Sequence, residues 1–369
     1  MDGRLRPGGN VSVSIEKRGK KWRVRQELGT DPATGKRISE SKTVDTKRDA
    51  ERLRAALLLT EGNVSEGSTF TLDQTVAAWL SRTDHAPTYR YDLLNAWTLV
   101  PENVKDARIR TLTTATLDAM YDRMSVDGIS PWRIKRVHEI VRTALSTAVR
   151  YDWIARNPAS YATPPKPRKK TPTPPAPEQV AELVDAAGPE IRLWLRIAST
   201  TALRRGEVAG LQWRDIADGR LWIRRAVAYA PGTGVHVKAT KTDRDRRIAI
   251  SDKLATELEQ ARREQIERCE RLGATWDDGR YVFSANPTGL EPRRPDYATN
   301  VVGKLRDRLG LEGVRLKELR HYVATQLLAQ GVDVKTVSSR MGHASTAMTT
   351  DVYASFLSET DRAAAELLD

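Results

Sequence analysis

The stretch "LKELRHYVATQLLAQGVDVKTVSSRMGHASTAMTTDVYA" occupies residues 316–354 and carries an unusual load of cations on apolar helical pattern. With the two residues before it, its first part reads as a helix over 314–331. Val323, Leu327 and Leu328 give that helix an apolar face at the i, i+4, i+5 spacing of a core-packing element. Lys317 and Arg320 are three apart and so project from one side of it. His321 points about 100° away from Arg320 on a helix of 3.6 residues per turn, and reads as packing. Two permanent cations on one turn of a core helix suit either a solvated surface or a bound phosphate.

The rest of the chain bears on that choice. At 369 residues it is too long for one ordinary core, so two or three domains are expected. Lys and Arg outnumber Asp and Glu by 61 to 48, a formal charge of +13, which favours an anionic partner, nucleic acid first. A single cysteine, Cys269, excludes a disulfide framework and a thiolate zinc site. No apolar run approaches the ~18 residues of a membrane span, and the N-terminal stretch lacks the apolar segment of a signal peptide. The expectation is a soluble, cytoplasmic protein, nucleoid-associated when bound to DNA.

Working outward, the fold expected is α+β and multidomain. Residues 1–62 read as a small three-stranded sheet plus a helix. "VSVSI", "KWRVRQEL" and "KRISESKTV" alternate apolar and polar residues between turn-rich "RGK" and "GTDPATGK". "DTKRDAERLRAALLL" follows as a helix with Asp45 or Thr46 at its cap. Period 2 places Arg23 and Arg25 on one face of the second strand, with Trp22 and Val24 on the other. A ribbon of this width also fits a DNA major groove. Residues 68–162 read as an all-α bundle. Thr71 and Gln74 form a capping-box pattern, and Ser130 with Pro131 opens a long helix. Ile134, Val137, Val141, Leu145 and Ala148 stripe that helix, while Arg133, Lys135, Arg136, Arg142 and Arg150 decorate the remainder. Residues 163–177, "TPPKPRKKTPTPPAP", hold seven Pro and four Lys or Arg. Such a segment favours extended polyproline conformation, about 45 Å long at ~3.1 Å per residue. It serves equally as a plain spacer or as a basic strap around a duplex. Residues 178–369 read as mainly helical with one small antiparallel sheet, formed by "RLWIRRAVAYA", "GVHVKATK" and "RRIAI".

Several chemistries are missing from the sequence. There is no P-loop, no dinucleotide fingerprint and no HExxH, and the scattered acids show no spacing that argues for magnesium. No cofactor is expected. The last domain instead repeats the cation: Arg204 in "TTALRRGEVAGLQW", Lys241 in "KATKTDRDRRIAI", Lys317 and Arg320 in "LKELRH", His343 in "MGHAS", and then Tyr353 in "TAMTTDVYAS". Singly, each has an ordinary role as a cap, a solvated charge, a turn residue or packing. Order and spacing give them weight together.

Taken together these segments resemble the tyrosine recombinases, the phage-integrase family. "TALRRGE" is similar to that family's first arginine box, with Arg204 as the phosphate-binding arginine and Glu207 as its acidic neighbour. "LKELRH" with "GVDVKTVSSRMGHASTAMTTDVYA" resembles the second box along its whole length, including ten residues from His343 to Tyr353. "TKTDRDRRIAI" looks like the hairpin that bears the catalytic lysine, which makes Lys241 the candidate. "WIARNPA" resembles the end of a core-binding domain, and residues 11–60 resemble an arm-type DNA-binding domain. The resemblance implies an enzyme that cuts and rejoins DNA through a 3′-phosphotyrosine and a Holliday junction, as a homotetramer on core and arm attachment sites. DNA-bending and excisionase-type accessory proteins are the further partners it implies, and Arg23, Arg25, Arg133 and Arg136 are the DNA-contact candidates.

The residue types suit that chemistry. Cleaving a phosphodiester without a metal needs positive groups where charge develops on the non-bridging oxygens. Guanidiniums supply fixed donor forks for this that lysines cannot match. A tyrosine with a pKa near ~10 must lose its proton to attack, and the departing 5′ oxygen needs a general acid, worth ~10² to 10⁴ in rate. A lysine on a hairpin tip can reach in to supply one. The chain departs from the commonest family pattern at Lys317, where most members carry histidine. A lysine with a pKa near ~10.4 accepts protons poorly at neutral pH, so Lys317 is expected to act by charge and hydrogen bonding, with His343 handling protons. Beyond Tyr353, Phe356, Leu357, Ala364, Leu367 and Leu368 pattern an amphipathic tail, expected to pack on its own domain or on a neighbouring protomer. A phosphotyrosine-forming topoisomerase and a catalytically silent DNA-binding regulator are the rival readings. The arm-like segment argues against the first, and the complete basic set with Tyr353 against the second.

Overall fold

The computed structural model describes residues 13–30, 37–62, 69–168, 173–239, 246–343, 345–346 and 350. The chain divides into two compact units, Met1–Lys169 and Lys170–Asp369.

In the first unit the alternating N-terminal runs pair as an antiparallel sheet in the order β1 (Val13–Arg18), β2 (Lys21–Thr30), β3 (Arg37–Val44). Val24 pairs with Ile15 and Trp22 with Val44, so the apolar members share one face. That face closes on α1 (Lys47–Gly62), where Val13, Val24 and Ala50 form a small buried cluster. Thr46 is the cap: its hydroxyl accepts the Asp49 backbone N–H at 3.1 Å.

Five α-helices follow among the described residues of this unit: α2 (Leu72–Arg82), α3 (Pro87–Trp97), α4 (Glu102–Lys105), α5 (Thr114–Val126) and α6 (Pro131–Arg150). The capping box is present, with Gln74 N–H donating to Thr71 Oγ1 at 3.2 Å and Thr71 N–H to Gln74 Oε1 at 3.0 Å. The α6 stripe of Ile134, Val137, Val141, Leu145 and Ala148 is buried throughout. Each of its larger members contributes about 1.5–3 kcal/mol of transfer free energy, so packing of this stripe, rather than propensity, organises the bundle. Ser130 occupies the N-cap of α6 but its side chain makes no cap hydrogen bond; Pro131 at N1, with its preset φ, starts the helix instead.

The second unit opens with α7 (Pro177–Asp185), α8 (Pro189–Thr201) and α9 (Arg205–Ala209). Its strands are β4 (Ile216–Ala217), β5 (Arg220–Ile223), β6 (Arg225–Ala230), β7 (Gly234–Ala239) and β8 (Arg246–Ala249). Among the described residues they form two antiparallel sheets, β4-β5-β8 and β6-β7, where the sequence reads as one. The run "RLWIRRAVAYA" divides at Arg224, because Arg225 turns onto the buried carboxylate of Asp215, which Arg224 approaches at 3.9 Å. The helices α10 (Asp252–Arg271), α11 (Pro295–Leu309), α12 (Glu318–Ala329) and α13 (Val334–Met341) complete the described part. Trp194, Leu195, Leu221, Phe283, Val302 and Leu319 lie at the centre of its main core.

The helix expected over 314–331 is shorter. It begins at Glu318, with Lys317 at its N-cap. Gly310, at φ 67°, caps α11, Gly313 at φ 83° turns the chain, and Glu318 N–H closes a turn onto Arg315 carbonyl at 2.8 Å. Gly331 at φ 78° ends it.

Candidate active site

The site starts from a reversal after α8. Ala202 caps that helix in the left-handed region, at φ 58° and ψ 23°, and is fully buried. The chain turns there and leaves Arg204 at the N-cap of α9. Gly206 lets α9 lie against β6, since a Cβ at that position would stand 2.5 Å from the Val227 carbonyl oxygen. One turn along α9, Glu207 folds back on the helix start. Its carboxylate accepts the Arg204 backbone N–H at 2.9 Å and Arg204 Nη1 at 2.9 Å. Arg246 Nη2, from the first residue of β8, donates to the same carboxylate at 2.7 Å.

A second arm of the site comes from the end of α13. Gly342 caps that helix at φ 63° and ψ 48°, and His343 N–H donates to Ser338 carbonyl at 3.1 Å. Three guanidiniums then converge on two successive carbonyls. Arg320 and Arg246 donate to Met341, the latter at 3.0 Å, and Arg204 Nη2 donates to Gly342 at 3.2 Å. Arg320 also donates to the Ala202 carbonyl at 2.5 Å, so one side chain of α12 joins the α8 turn to the α13 turn. Arg340 adds a similar tie, with Nη2 bonded to Thr200 carbonyl at 3.0 Å and Ala249 carbonyl at 3.1 Å.

The electrostatics follow from this crowding. Burial, then the neighbouring Arg204, brings Arg320 down to about 10, which still leaves it charged at neutral pH. For Glu207 burial works to raise the pKa, but Arg246 and Arg204 outweigh it and hold the carboxyl below its ordinary value. His343 is half-buried; desolvation first, then Arg320, Arg204, His321 and Arg246, lowers its imidazole to about 4. It is therefore neutral at physiological pH and able to accept a proton or share one in a hydrogen bond. Burial likewise lowers His321, which lies half-buried beside Glu318 at 3.8 Å.

A cleft of about 570 Å³ opens beside the two arginines. Arg204, Arg205, Arg306, Arg315, Lys317 and Arg320 line it over an apolar floor of Leu203, Val302 and Leu316. Lys317 is 71% exposed, with its ammonium 3.4 Å from Glu318. Arrangements of this kind can hold an anion by fixed guanidinium donors while a point charge adds attraction.

Of the sequence candidates, Arg204, Glu207, Arg320 and His343 thus come together, and Lys317 shares a cleft wall with both arginines. Lys241 and Tyr353 lie outside the described residues, as does the amphipathic tail after it. In the first unit, Arg23 and Arg25 donate to Ser41 and Ser39 on the solvent face of the sheet, at 2.8 and 3.0 Å. Arg133 is exposed on α6, while Arg136 pairs with Glu139 at 3.1 Å and stacks 5.3 Å from the Tyr89 ring. Arg246 is the residue that sequence reasoning passed over. A signal was present: in "RRIAI", two-residue alternation puts Arg246 on the same side as buried Ile248, and Arg247 with exposed Ala249.

Residues 176–359 match the phage integrase family. The ICEBs1 integrase of Bacillus subtilis (strain 168) is 25% identical over 362 residues, covering 94% of this chain and 96% of the relative. Tyrosine recombinase XerC of Mycobacterium sp. (strain JLS) is 26% identical over 294 residues, 76% of this chain and 91% of the relative. Among solved structures, the Tn1549 transposon integrase in complex with transposon right end DNA superposes with a TM-score of 0.66 at 18% identity, over 80% of this chain and 100% of that one. A lambda integrase dimer bound to a COC′ core site gives 0.58 at 18% identity, over 94% and 96%. A lambda integrase tetramer bound to a Holliday junction gives 0.57 at 19% identity, over 90% and 92%. At such identities the structural likenesses establish the fold, and with it the mixed α+β class. Through residues 176–359 the chain belongs to the phage integrase family, the tyrosine recombinases.

Proposed function

We propose that the chain is the integrase of a phage or other integrative element, cutting and rejoining two specific DNA duplexes through a 3′-phosphotyrosine on Tyr353 and a Holliday junction. The observation that carries this reading is the convergence of Arg204, Arg320 and neutral His343 on the Met341–Gly342 turn. Arg204 and Arg320 serve as the donors for the non-bridging oxygens, stabilising charge as it develops. His343 accepts or shares the nucleophile's proton, Lys241 protonates the departing 5′ oxygen, and Lys317 contributes charge. The positive charge a metal would otherwise supply comes from side chains, so no metal or nucleotide enters the steps. Residues 1–62 serve as an arm-site domain and 68–162 as a core-site domain, with Arg23, Arg25, Arg133 and Arg136 on DNA. Residues 163–177 link these to a catalytic domain over 178–369, and four protomers assemble on two duplexes, with DNA-bending and excisionase-type proteins as accessories. The cargo of the reaction is double-stranded DNA, and the place of action is the nucleoid.

A nicked suicide substrate tests this. The wild type should trap covalent DNA in the presence of a chelator, and Tyr353→Phe should trap none. A covalent adduct that persists in Tyr353→Phe would remove the assignment of the nucleophile.

A further inference from the structure

Arg246 belongs to none of the roles assigned above, yet it is one of the most constrained cations in the second unit. Its side chain is 15% exposed and its carboxylate partner, Glu207, 6% exposed. It joins three pieces of chain distant in sequence: β8 itself, the α9 start through Glu207 at 2.7 Å, and the α13 turn through Met341 carbonyl at 3.0 Å. It also fills the space above Gly342, where a Cβ would meet Arg246 Nη1 at 1.9 Å. Burying a guanidinium is unfavourable unless its hydrogen bonds are met, and the nearby core is apolar: Ile248, two residues along the strand, belongs to the main hydrophobic cluster. A hydrophobic residue would satisfy the alternation of β8 equally well. What a planar fork at this place achieves is to hold a carboxylate and a carbonyl at once in a fixed relative geometry.

The two groups it holds are the ones on which the phosphate-handling residues depend. Glu207 fixes Arg204 through two hydrogen bonds. Met341 also receives Arg320, and the next two residues are the Gly342 that receives Arg204 and the His343 imidazole. Arg246 further stands five residues beyond Lys241 in the sequence, at the head of the strand leaving the candidate lysine.

We propose that Arg246 is a positioning residue of the recombination site, setting Arg204 through Glu207 and His343 through the Met341–Gly342 turn, and so bringing the two boxes to one phosphate. The proposal rests on the recombinase reading above. Arg246 itself touches no substrate in this scheme. Its loss is expected to misplace donors by a fraction of the length of a hydrogen bond, and misplacements of about 1 Å can lower a rate on the order of 10²-fold.

The test is single-turnover cleavage of a nicked suicide substrate, with DNA affinity and thermal melting measured on the same full-length preparations. Arg246→Lys keeps the charge but replaces the fixed fork by a single flexible ammonium, so cleavage should fall on the order of 10-fold or more, beyond what any change in affinity or melting accounts for. Arg246→Gln removes the charge. Cleavage should fall further, and the acidic limb of its pH profile should move upward, because His343 then keeps the lowering influence of burial, Arg320, Arg204 and His321 but loses that of Arg246. Arg246→Lys should leave that limb in place. A cleavage rate within about twofold of wild type in Arg246→Lys, or a loss matched throughout by weaker DNA binding or a lower folded fraction, would overturn the proposal. If Arg246→Gln fails to fold, the Arg246→Lys comparison decides alone. Absence of covalent DNA with the wild type would strike the recombinase reading rather than the role of Arg246.

Discussion

Arg320 donates to the carbonyl of Ala202 at 2.5 Å, joining residues 118 apart in sequence through one side chain. Ala202 is held in the left-handed region at that point, a conformation that costs a non-glycine residue on the order of 1–3 kcal/mol. The arginine therefore stabilises the turn that presents Arg204 as well as its own position. Arg320→Lys should remove more than one donor. Cleavage is expected to fall on the order of 10²–10³-fold, the range for losing one preorganised transition-state donor, and the protein should melt earlier. Single-turnover cleavage with parallel melting checks this; a rate near wild type would mean that charge alone suffices.

The pH dependence follows from His343. With its pKa lowered to about 4, the imidazole stays neutral down to that point, so cleavage by the wild type should hold across neutral and mildly acidic pH and fall only near about 4. The folded pKa lies below the unfolded value of 6.5, so the unfolded chain takes up protons first. Stability contributed here is full above about 6.5 and declines as pH falls toward 4, and His321 and His138, both lowered by burial, add to that decline. A melting series across this window, on wild type and His343→Gln, measures it. An unchanged slope in the variant would remove His343 from the account.

Lys317 is largely exposed and, among the described residues, paired to Glu318 at 3.4 Å. It should behave as a phosphate contact. Lys317→Ala is expected to weaken DNA binding similarly across sequences and to reduce the salt slope of log K by about 1, with a smaller loss of cleavage than Arg320→Lys. Lys317→His should retain cleavage. If Lys317→Ala cleaved fully while Lys317→His did not, the charge-only role would be wrong.

Asp215 is 1% exposed and holds Arg225, itself 14% exposed. Asp215→Ala leaves a buried guanidinium without its counter-ion, a change that typically costs about 3–5 kcal/mol. Urea unfolding should show that loss at an unchanged m-value. Replacing Arg225 together with Asp215 by apolar residues should recover part of it.

Local pattern carried much of this structure. The Thr71–Gln74 box, the α6 stripe, the β2 alternation and the α9 pair Arg204–Glu207 all lie within a few residues of one another, where spacing decides geometry. The division of strands at Arg224 was hidden because it depends on Asp215 nine residues earlier, which pattern does not connect to it. The start of α12 was hidden because apolar spacing continues through Val314 and Leu316 while the backbone turns at Gly313. Arg246 was hidden among Lys238, Arg244 and Arg247, since a cation in a basic hairpin reads as solvated until the carboxylate it meets is known.

The Met341–Gly342 turn has a consequence for how such a site persists. Arg204, Arg246 and Arg320 all grip it by peptide oxygens. A peptide oxygen is present whatever the codon specifies, so residue 341 can drift among side chains that fit its pocket without disturbing the grip. Only at 342 is identity restricted, because the left-handed φ of 63° and the Arg246 guanidinium leave no room for a Cβ. Half of this joint therefore leaves no trace in a letter-by-letter comparison, and distant members can keep the same anchorage while sharing few of the residues around it.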